Sequence, residues 1–330
     1  MTVRAIVPVA GFGTRLRPHT YTLPKALIPV AGKPILGHIL DTLLDLGIRE
    51  VVLVVGHLGE KIEAYVREHY ALTAHFVRQD QPLGNGHAIY VAREFLTGEP
   101  VLILLGDTIL RGELRPVVRS TTSLIGVREV ADPRRFGVVE LDPDGRVRRF
   151  VEKPQHPPSN LAIVGLYYLT NTRLLRRCLE RLVEEDHRVA GEYWLVDALQ
   201  FYVDAGEVIR TYPVEEWYDC GTVEAVLSAN RALLDVLNPP PPDLPGALVQ
   251  PPVAIAEGAV IEASVIGPYV SVAEGARIVR SVVSNSIVNR NANVEQVVLE
   301  GSLIGERAYL SGRPSRVNLG DQSEIELGGS

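Results

Sequence analysis

Cysteine is scarce. Cys178 and Cys220 are the only two in 330 residues, far apart in sequence and outside any Cys-x-x-Cys pair. A disulfide scaffold and a cysteine-based zinc site are thereby set aside, and a reducing compartment is expected. Aromatic residues are few, at 6% of the chain, so the core has to be aliphatic, drawn from the 46% of hydrophobic residues. Positive charge is in deficit: 33 Lys and Arg stand against 40 Asp and Glu, a net charge of −7. That balance argues against a protein that coats nucleic acid. It leaves room for a polyanion wherever positive charge is local. Long apolar runs are also lacking. The leading "RAIVPVA" is too short for a signal core or a membrane span. A cytoplasmic protein with neither membrane nor nucleic-acid partner is expected.

What is present is alternation. "RAIVPV" (4–9), "VVLVV" (51–55), "VLILL" (101–105) and "SLIGV" (123–127) are short, unbroken apolar runs. Such runs fit strands covered on both faces, as in a parallel sheet. Between the first two lies "PILGHILDTLLDLG", with an apolar stripe from Ile35 to Leu44, Pro34 in the first helical turn and Gly47 at the cap. Strand, helix and strand in that order predict an α/β sandwich over 1–237. Residues 238–252 hold seven prolines and read as a stiff linker, which can neither continue a helix nor sit inside a sheet. Over 253–330 aliphatic residues recur at six-residue steps: Ile255 to Ile261, Ile266 to Val272 to Ile278, Val288 to Val294, and Ile304 to Leu310. A hexad places one inward side chain on each face of a parallel β-helix, although the register slips by one between Ile261 and Ile266. An ordinary β-rich domain is the plainer alternative. Open-ended coils need covering, so a homo-oligomer is expected.

"GFGTRLRPHTYTLPK" (11–25) follows the first strand directly. It is not a dinucleotide fingerprint, because position 16 is leucine, and no Walker A step Gly-Lys-Ser/Thr occurs. Gly11 and Gly13 still allow backbone N–H groups close to phosphate oxygens. Arg15 offers a planar fork and Lys25 a point charge. A solvated surface turn is the alternative reading of the same residues.

Seven segments in order resemble the sugar-1-phosphate nucleotidylyltransferases: "AGFGTRLRPHTYTLPKALIPVAGKPIL" (10–36), "QDQPLGNGHA" (79–88), "LLGDTIL" (104–110), "RRFGVVELD" (134–142), "VEKP" (151–154), "NLAIVGLYYL" (160–169) and "WYDCGT" (217–222). The tail is similar to that of the long-form glucose-1-phosphate thymidylyltransferases. The resemblance implies a Rossmann-like nucleotidyltransferase sandwich with a mostly parallel sheet, followed by a small left-handed parallel β-helix. It implies an attack by a sugar-1-phosphate on the α-phosphorus of a nucleoside triphosphate, assisted by Mg²⁺. Ala10, Gly11, Gly13 and Thr14 would hold the triphosphate, Arg15 would clamp it, and Lys25 would bridge the reacting phosphates. Asp107 and Asp219 would share the Mg²⁺, which suits carboxylates, waters and phosphates. Asp107 reads otherwise as a turn residue and Asp219 as part of a helix-cap region. Gln79 and Gly84 would meet the base; Gly137, Glu152, Lys153, Asn160 and Gly165, with Glu192 in "GEY", would meet the sugar phosphate. His87 is read as structural.

One departure bears on the substrate. The thymidylyltransferase loop usually carries two adjacent glycines before its variable residue, whereas Ala10-Gly11-Phe12-Gly13 is one residue shorter. That form looks more like the UTP-using glucose-1-phosphate uridylyltransferases, and "LGNGHA" is similar to the enzymes acting on N-acetylglucosamine-1-phosphate. The tail points to dTTP with glucose-1-phosphate, the loop to UTP. An acyltransferase role for the tail lacks a histidine beyond His187. A non-catalytic nucleotide-sugar-binding subunit would be expected to lose Arg15, Lys25 or the aspartates, and all are present.

Overall fold

The opening apolar run forms strand β1 (Arg4–Pro8), with Ala5, Ile6 and Val7 fully buried. In the computed structural model, which describes residues 3–312, β1 lies inside a nine-stranded sheet. Helix α1 (Ile35–Asp45) leads to β2 (Glu50–Val55), and α2 (Gly59–His69) leads to β3 (Thr73–Arg78). Helix α3 (Asn85–Val91) precedes β4 (Val101–Leu104). These four strands lie in the order β3-β2-β1-β4, all parallel. Pro34 sits at the cap of α1 rather than inside its first turn, and Gly47 takes the left-handed conformation just past its end. Ile6, Val52, Val54 and Ile103 on the sheet pack with Ile89 of α3 in one core cluster.

The other half of the sheet is mixed, with antiparallel pairs around one long strand and one further parallel pair. The chain runs through β5 (Thr108–Arg111), β6 (Ser123–Glu129), β7 (Val138–Leu141), β8 (Val147–Val151) and β9 (Leu161–Leu169). Strand β9 pairs antiparallel with β4, β6 and β7. The short turn from β7 to β8 makes that pair antiparallel as well. Helices α4 (Thr172–Glu184) and α5 (Leu195–Asp204) follow, then β10 (Ile209–Pro213), parallel to β6, and β11 (Glu216–Asp219), which pairs with β5. Helix α6 (Val223–Leu237) is last.

The chain divides into two compact units, up to Ala229 and from Asn230. The second carries three four-stranded parallel sheets of two- and three-residue strands, the left-handed parallel β-helix expected. The hexad residues Ile261, Ile266, Val272, Ile278, Val288 and Val294 all point into its core. A coil takes 17 residues from Ile261 to Ile278 and 16 from Ile278 to Val294, short of three full hexads, which accounts for the slip in register. The shortened corner stacks Ala263, Arg280 and Gln296, each at positive φ. Part of the proline-rich stretch joins the sheet: Leu248–Val249 pairs with Val265–Ile266, because residues 246–250 carry no proline. The expected tail beyond 312 lies outside the described residues.

Candidate active site

Strands β1 and β4 are neighbours in register, Ile6 opposite Ile103, so the loops that leave their C-terminal ends emerge side by side. That edge is where an open α/β sheet binds ligands. Here it opens into a cavity of about 830 Å³, lined entirely by residues of the first unit.

The loop after β1 is shaped by small residues and anchored by large ones. Gly13 holds φ 59, a left-handed conformation, and its carbonyl accepts hydrogen bonds from Leu16 N–H and Thr20 Oγ1. Thr14–Leu16 then makes a single helical turn, and fully buried Leu16 pins it. Arg15 is left exposed at the cavity with no hydrogen bond or ion pair among the described residues. Buried Ala26 and Ile28 fix the turn that carries Lys25. Lys25 Nζ reaches Asp107 Oδ2 at 2.6 Å.

Asp107 follows β4. Its backbone carbonyl accepts the N–H of Cys220, and Asp219 lies opposite Thr108 in the β5–β11 pair, so the two aspartates become neighbours across more than one hundred residues. A Cβ placed on Gly221 would come within 3.0 Å of both Arg15 Nη2 and Asp219 Oδ1. Two cations and two carboxylates therefore share one corner. Burial pushes the Asp107 carboxyl up, but the nearby Lys25 and Arg15 outweigh it and hold it below its ordinary value. Asp219 goes the other way: burial and the charge of Asp107 raise it against Lys25, Arg15 and Arg135. A pair of carboxylates whose mutual repulsion is felt at one of them is a place for a cation.

The opposite wall holds Glu152 and Lys153, just past β8. Burial raises the Glu152 carboxyl, opposed by Lys153. Lys153 Nζ sits 3.5 Å from Glu152 Oε1 and 4.0 Å over the Trp194 ring. At the third side, Gly84 holds φ 99, and a Cβ there would meet the Tyr193 carbonyl at 2.4 Å, so only glycine fits. Gln79 is buried beside it.

The model of the family described as nucleotidyl transferase matches residues 4–236. The chain belongs to the nucleotidyl transferase family. It is 32% identical to a glucose-1-phosphate thymidylyltransferase of Streptomyces griseus, over 98% of this chain and 99% of that protein. The same identity holds for a protein of that name from Streptomyces antibioticus, over 98% of this chain. A bifunctional protein GlmU of Methanocaldococcus jannaschii is 33% identical over 78% of this chain and 61% of its own length. Among solved structures, UDP-glucose pyrophosphorylase complexed with UDP-glucose superposes with a TM-score of 0.63 at 25% identity, over 72% of this chain and all of that one.

For this nucleotidyl transferase, Ala10, Gly11, Gly13, Thr14, Arg15, Lys25, Gln79, Gly84, Asp107, Gly137, Glu152, Lys153, Gly165, Glu192 and Asp219 all line the one cavity. Asn160 does not. It is exposed at the foot of β9, where its carbonyl accepts Val130 N–H, and the strand delivers Ile163, Val164, Gly165 and Tyr167 to the cavity instead. Sequence reasoning missed Arg134, Arg135, Trp194 and Trp217, which also line it. The doubled arginine at the head of "RRFGVVELD" was the available signal for the first two. Arg134 is committed to Asp132 by two hydrogen bonds, whereas Arg135 has no ion pair among the described residues. Trp217 packs edge-on against Phe136, ring centroids 4.7 Å apart. The donor set at Asp107 and Asp219 fits magnesium, which needs only one or two carboxylates beside phosphates and water. No cluster of three potential ligands occurs among the described residues, and burial raises the Cys220 thiol, which keeps it protonated. No helix among the described residues is long and apolar enough to cross a membrane.

Proposed function

We propose that the protein transfers a nucleotidyl group from dTTP to glucose-1-phosphate, giving dTDP-glucose and pyrophosphate. The observation that carries this reading is a similarity spanning 98% of the chain, the β-helix unit included, to proteins named glucose-1-phosphate thymidylyltransferase. A second reading, UTP in place of dTTP, is favoured by the short loop "AGFGTR" and by the likeness to UDP-glucose pyrophosphorylase.

In the proposed reaction a phosphate oxygen of the sugar-1-phosphate attacks the α-phosphorus in line, and the bond to the β-phosphate breaks. Arg15, uncommitted at the cavity, takes charge on the departing pyrophosphate. Lys25 spends one of its three N–H donors on Asp107 and has two left for phosphate oxygens. Asp107 and Asp219 hold Mg²⁺, which when bound neutralises charge on the phosphate oxygens. Lys153 leaves the Trp194 ring for the sugar phosphate. Glu152 accepts from sugar hydroxyls while Gly137 and Gly165 leave room for the ring. Gln79 and Gly84 face the base. None of these groups forms a covalent bond to substrate; the chain works by alignment and charge.

The enzyme is placed in the cytoplasm, a reading supported by two buried cysteines that are not joined to each other. A homo-oligomer is supported by a column of aliphatic side chains on the outer face of one β-helix sheet: Leu248, Val265, Val282 and Val298 stand opposite one another in register, and Val298 is 79% exposed.

The test is pyrophosphate release with Mg²⁺, crossing dTTP, UTP, GTP, CTP and ATP with glucose-, N-acetylglucosamine-, mannose- and galactose-1-phosphate. dTTP with glucose-1-phosphate should be best. A best pair with UTP would establish the second reading, and no turnover with any pair would leave a nucleotide-sugar-binding subunit.

A further inference from the structure

His87 is not used in the mechanism above, yet it touches the residue placed at the base. Gln79 follows β3, its backbone N–H held by Val55 O at 2.8 Å and its side chain nearly all buried. Its amide has two N–H donors and one carbonyl. Gln79 Nε2 lies 3.0 Å from the Gly84 carbonyl and 3.0 Å from His87 Nδ1. Two acceptors thus consume both donors. Gln79 Oε1 has no hydrogen-bond partner among the described residues and is not shut away from solvent, and Gln79 lines the cavity. The cavity is therefore offered an acceptor.

We infer that His87 is a positioning residue for base choice: its Nδ1 holds the Gln79 amide so that the Gln79 carbonyl faces the cavity and selects bases with a ring N–H. This rests on the nucleotide-binding reading above. Uracil and thymine carry a donor at N3 and guanine at N1, whereas cytosine N3 and adenine N1 are acceptors. An acceptor set against an acceptor loses a hydrogen bond and leaves two lone pairs opposed. Gly84 cannot do the sorting alone, because its carbonyl also accepts Ala88 N–H. To accept, Nδ1 has to be bare and His87 neutral, with its proton on Nε2. The surroundings enforce that. Burial lowers its pKa, and Arg188 acts in the same direction. Tyr90 of its own helix stands 5.9 Å away and Tyr193 6.1 Å away. Asp186, the carboxylate beyond them, is occupied by Tyr193 Oη and Arg188. Glu192 packs against Gly84 on the cavity side, but among the described residues Arg188 is the charged group that acts on the ring.

The experiment is steady-state kinetics with dTTP, UTP and CTP on the wild type, His87→Leu and His87→Asn. Leucine removes the acceptor; asparagine restores one through Oδ1. The ratio of kcat/KM for dTTP or UTP over that for CTP should fall roughly tenfold in His87→Leu, as expected for one mispaired group, with KM carrying the change. It should recover in His87→Asn. The same ratio should fall in the wild type, and not in His87→Leu, as pH is lowered from neutrality through the depressed histidine value, kept above the range in which cytosine N3 is itself protonated. Taking the ratio removes the titration of the phosphates, which all three nucleotides share. An unchanged ratio in His87→Leu, or an equal loss with all three nucleotides, would overturn the inference while leaving nucleotidyl transfer standing. No turnover by the wild type with any nucleotide would bring down both.

Discussion

In the first unit Arg15 and Arg135 face an open cavity, with no carboxylate within ion-pair distance among the described residues. In the second unit Arg277, Arg280 and Arg290 each close on a glutamate of an adjacent coil: Glu262, Glu295 and Glu274. The same residue type is thus left uncommitted in one place and satisfied in the other. A guanidinium held without a partner is kept for an anion that arrives later. One that closes on a neighbouring coil has no such vacancy and serves solubility and coil register. The two regions differ in their apolar logic too. The β-helix repeats one aliphatic position coil after coil, whereas the catalytic unit gathers its polar residues from segments scattered along the chain into one cavity.

The contrast can be broken most forcefully at the cavity. Arg15→Ala should lower kcat about 10²- to 10³-fold, the scale of losing one preorganised donor to developing charge, with the circular dichroism spectrum unchanged. If the rate is unaffected, the uncommitted arginine is only a surface charge. In the β-helix the largest effect belongs to its interior. Ile278→Ala should destabilise the second unit by about 2–5 kcal/mol, seen as an earlier melting transition in calorimetry, and a silent substitution would mean that the hexad pattern does not carry the core.

The two aspartates give a finer division. Asp219 titrates above its ordinary value, so its protonated form favours folding in acid, and that contribution is lost as pH rises through the folded value. Asp107 titrates below its ordinary value, so its contribution is present above the ordinary aspartate range and is lost as pH falls through the depressed value. At neutral pH, Asp219→Asn should therefore raise the melting temperature and Asp107→Asn lower it, each by a few degrees (about 1 kcal/mol), while both abolish pyrophosphate release. Melting shifts of the same sign would refute the opposed environments. Activity should also fall on acidification, as Asp219 gains its proton before Asp107. The smallest effect is expected on the outside of the β-helix, where Arg280→Gln should cost no more than about 1 kcal/mol. A larger loss in a denaturant titration would show that the coil-to-coil pairs do more than dress the surface.

The hexads were legible because an inward position repeated in sequence is inward in every coil. Their slip was legible too, as a five-residue step from Ile261 to Ile266; its cause was not, because the positive-φ corner at Ala263 leaves no mark in hydrophobicity. The parallel half of the sheet could be read from its unbroken apolar runs. The mixed half could not, since "NLAIVGLYYL" is just as apolar: β9 is covered on both faces whichever way its neighbours run. Motif spacing located Arg15, Lys25, Asp107 and Asp219, whose convergence depends on the pairing of β5 with β11. Asn160, one residue ahead of β9, is not in the cavity wall, which the strand lines with Ile163, Val164, Gly165 and Tyr167 instead. Motif spacing passed over His87, because a histidine that acts through a neighbouring amide has no chemistry of its own to advertise.

The chain has two tryptophans, and both stand in the wall of the same cavity. Red-edge excitation, which spares the tyrosines, therefore turns the protein into its own optical sensor. One emitter lies under the Lys153 ammonium and the other against Phe136. If a sugar phosphate draws the lysine away as proposed, the first emission should change, and a nucleotide alone should leave it as it was. The order in which the two substrates enter can then be followed by light, without a label and before any bond is made.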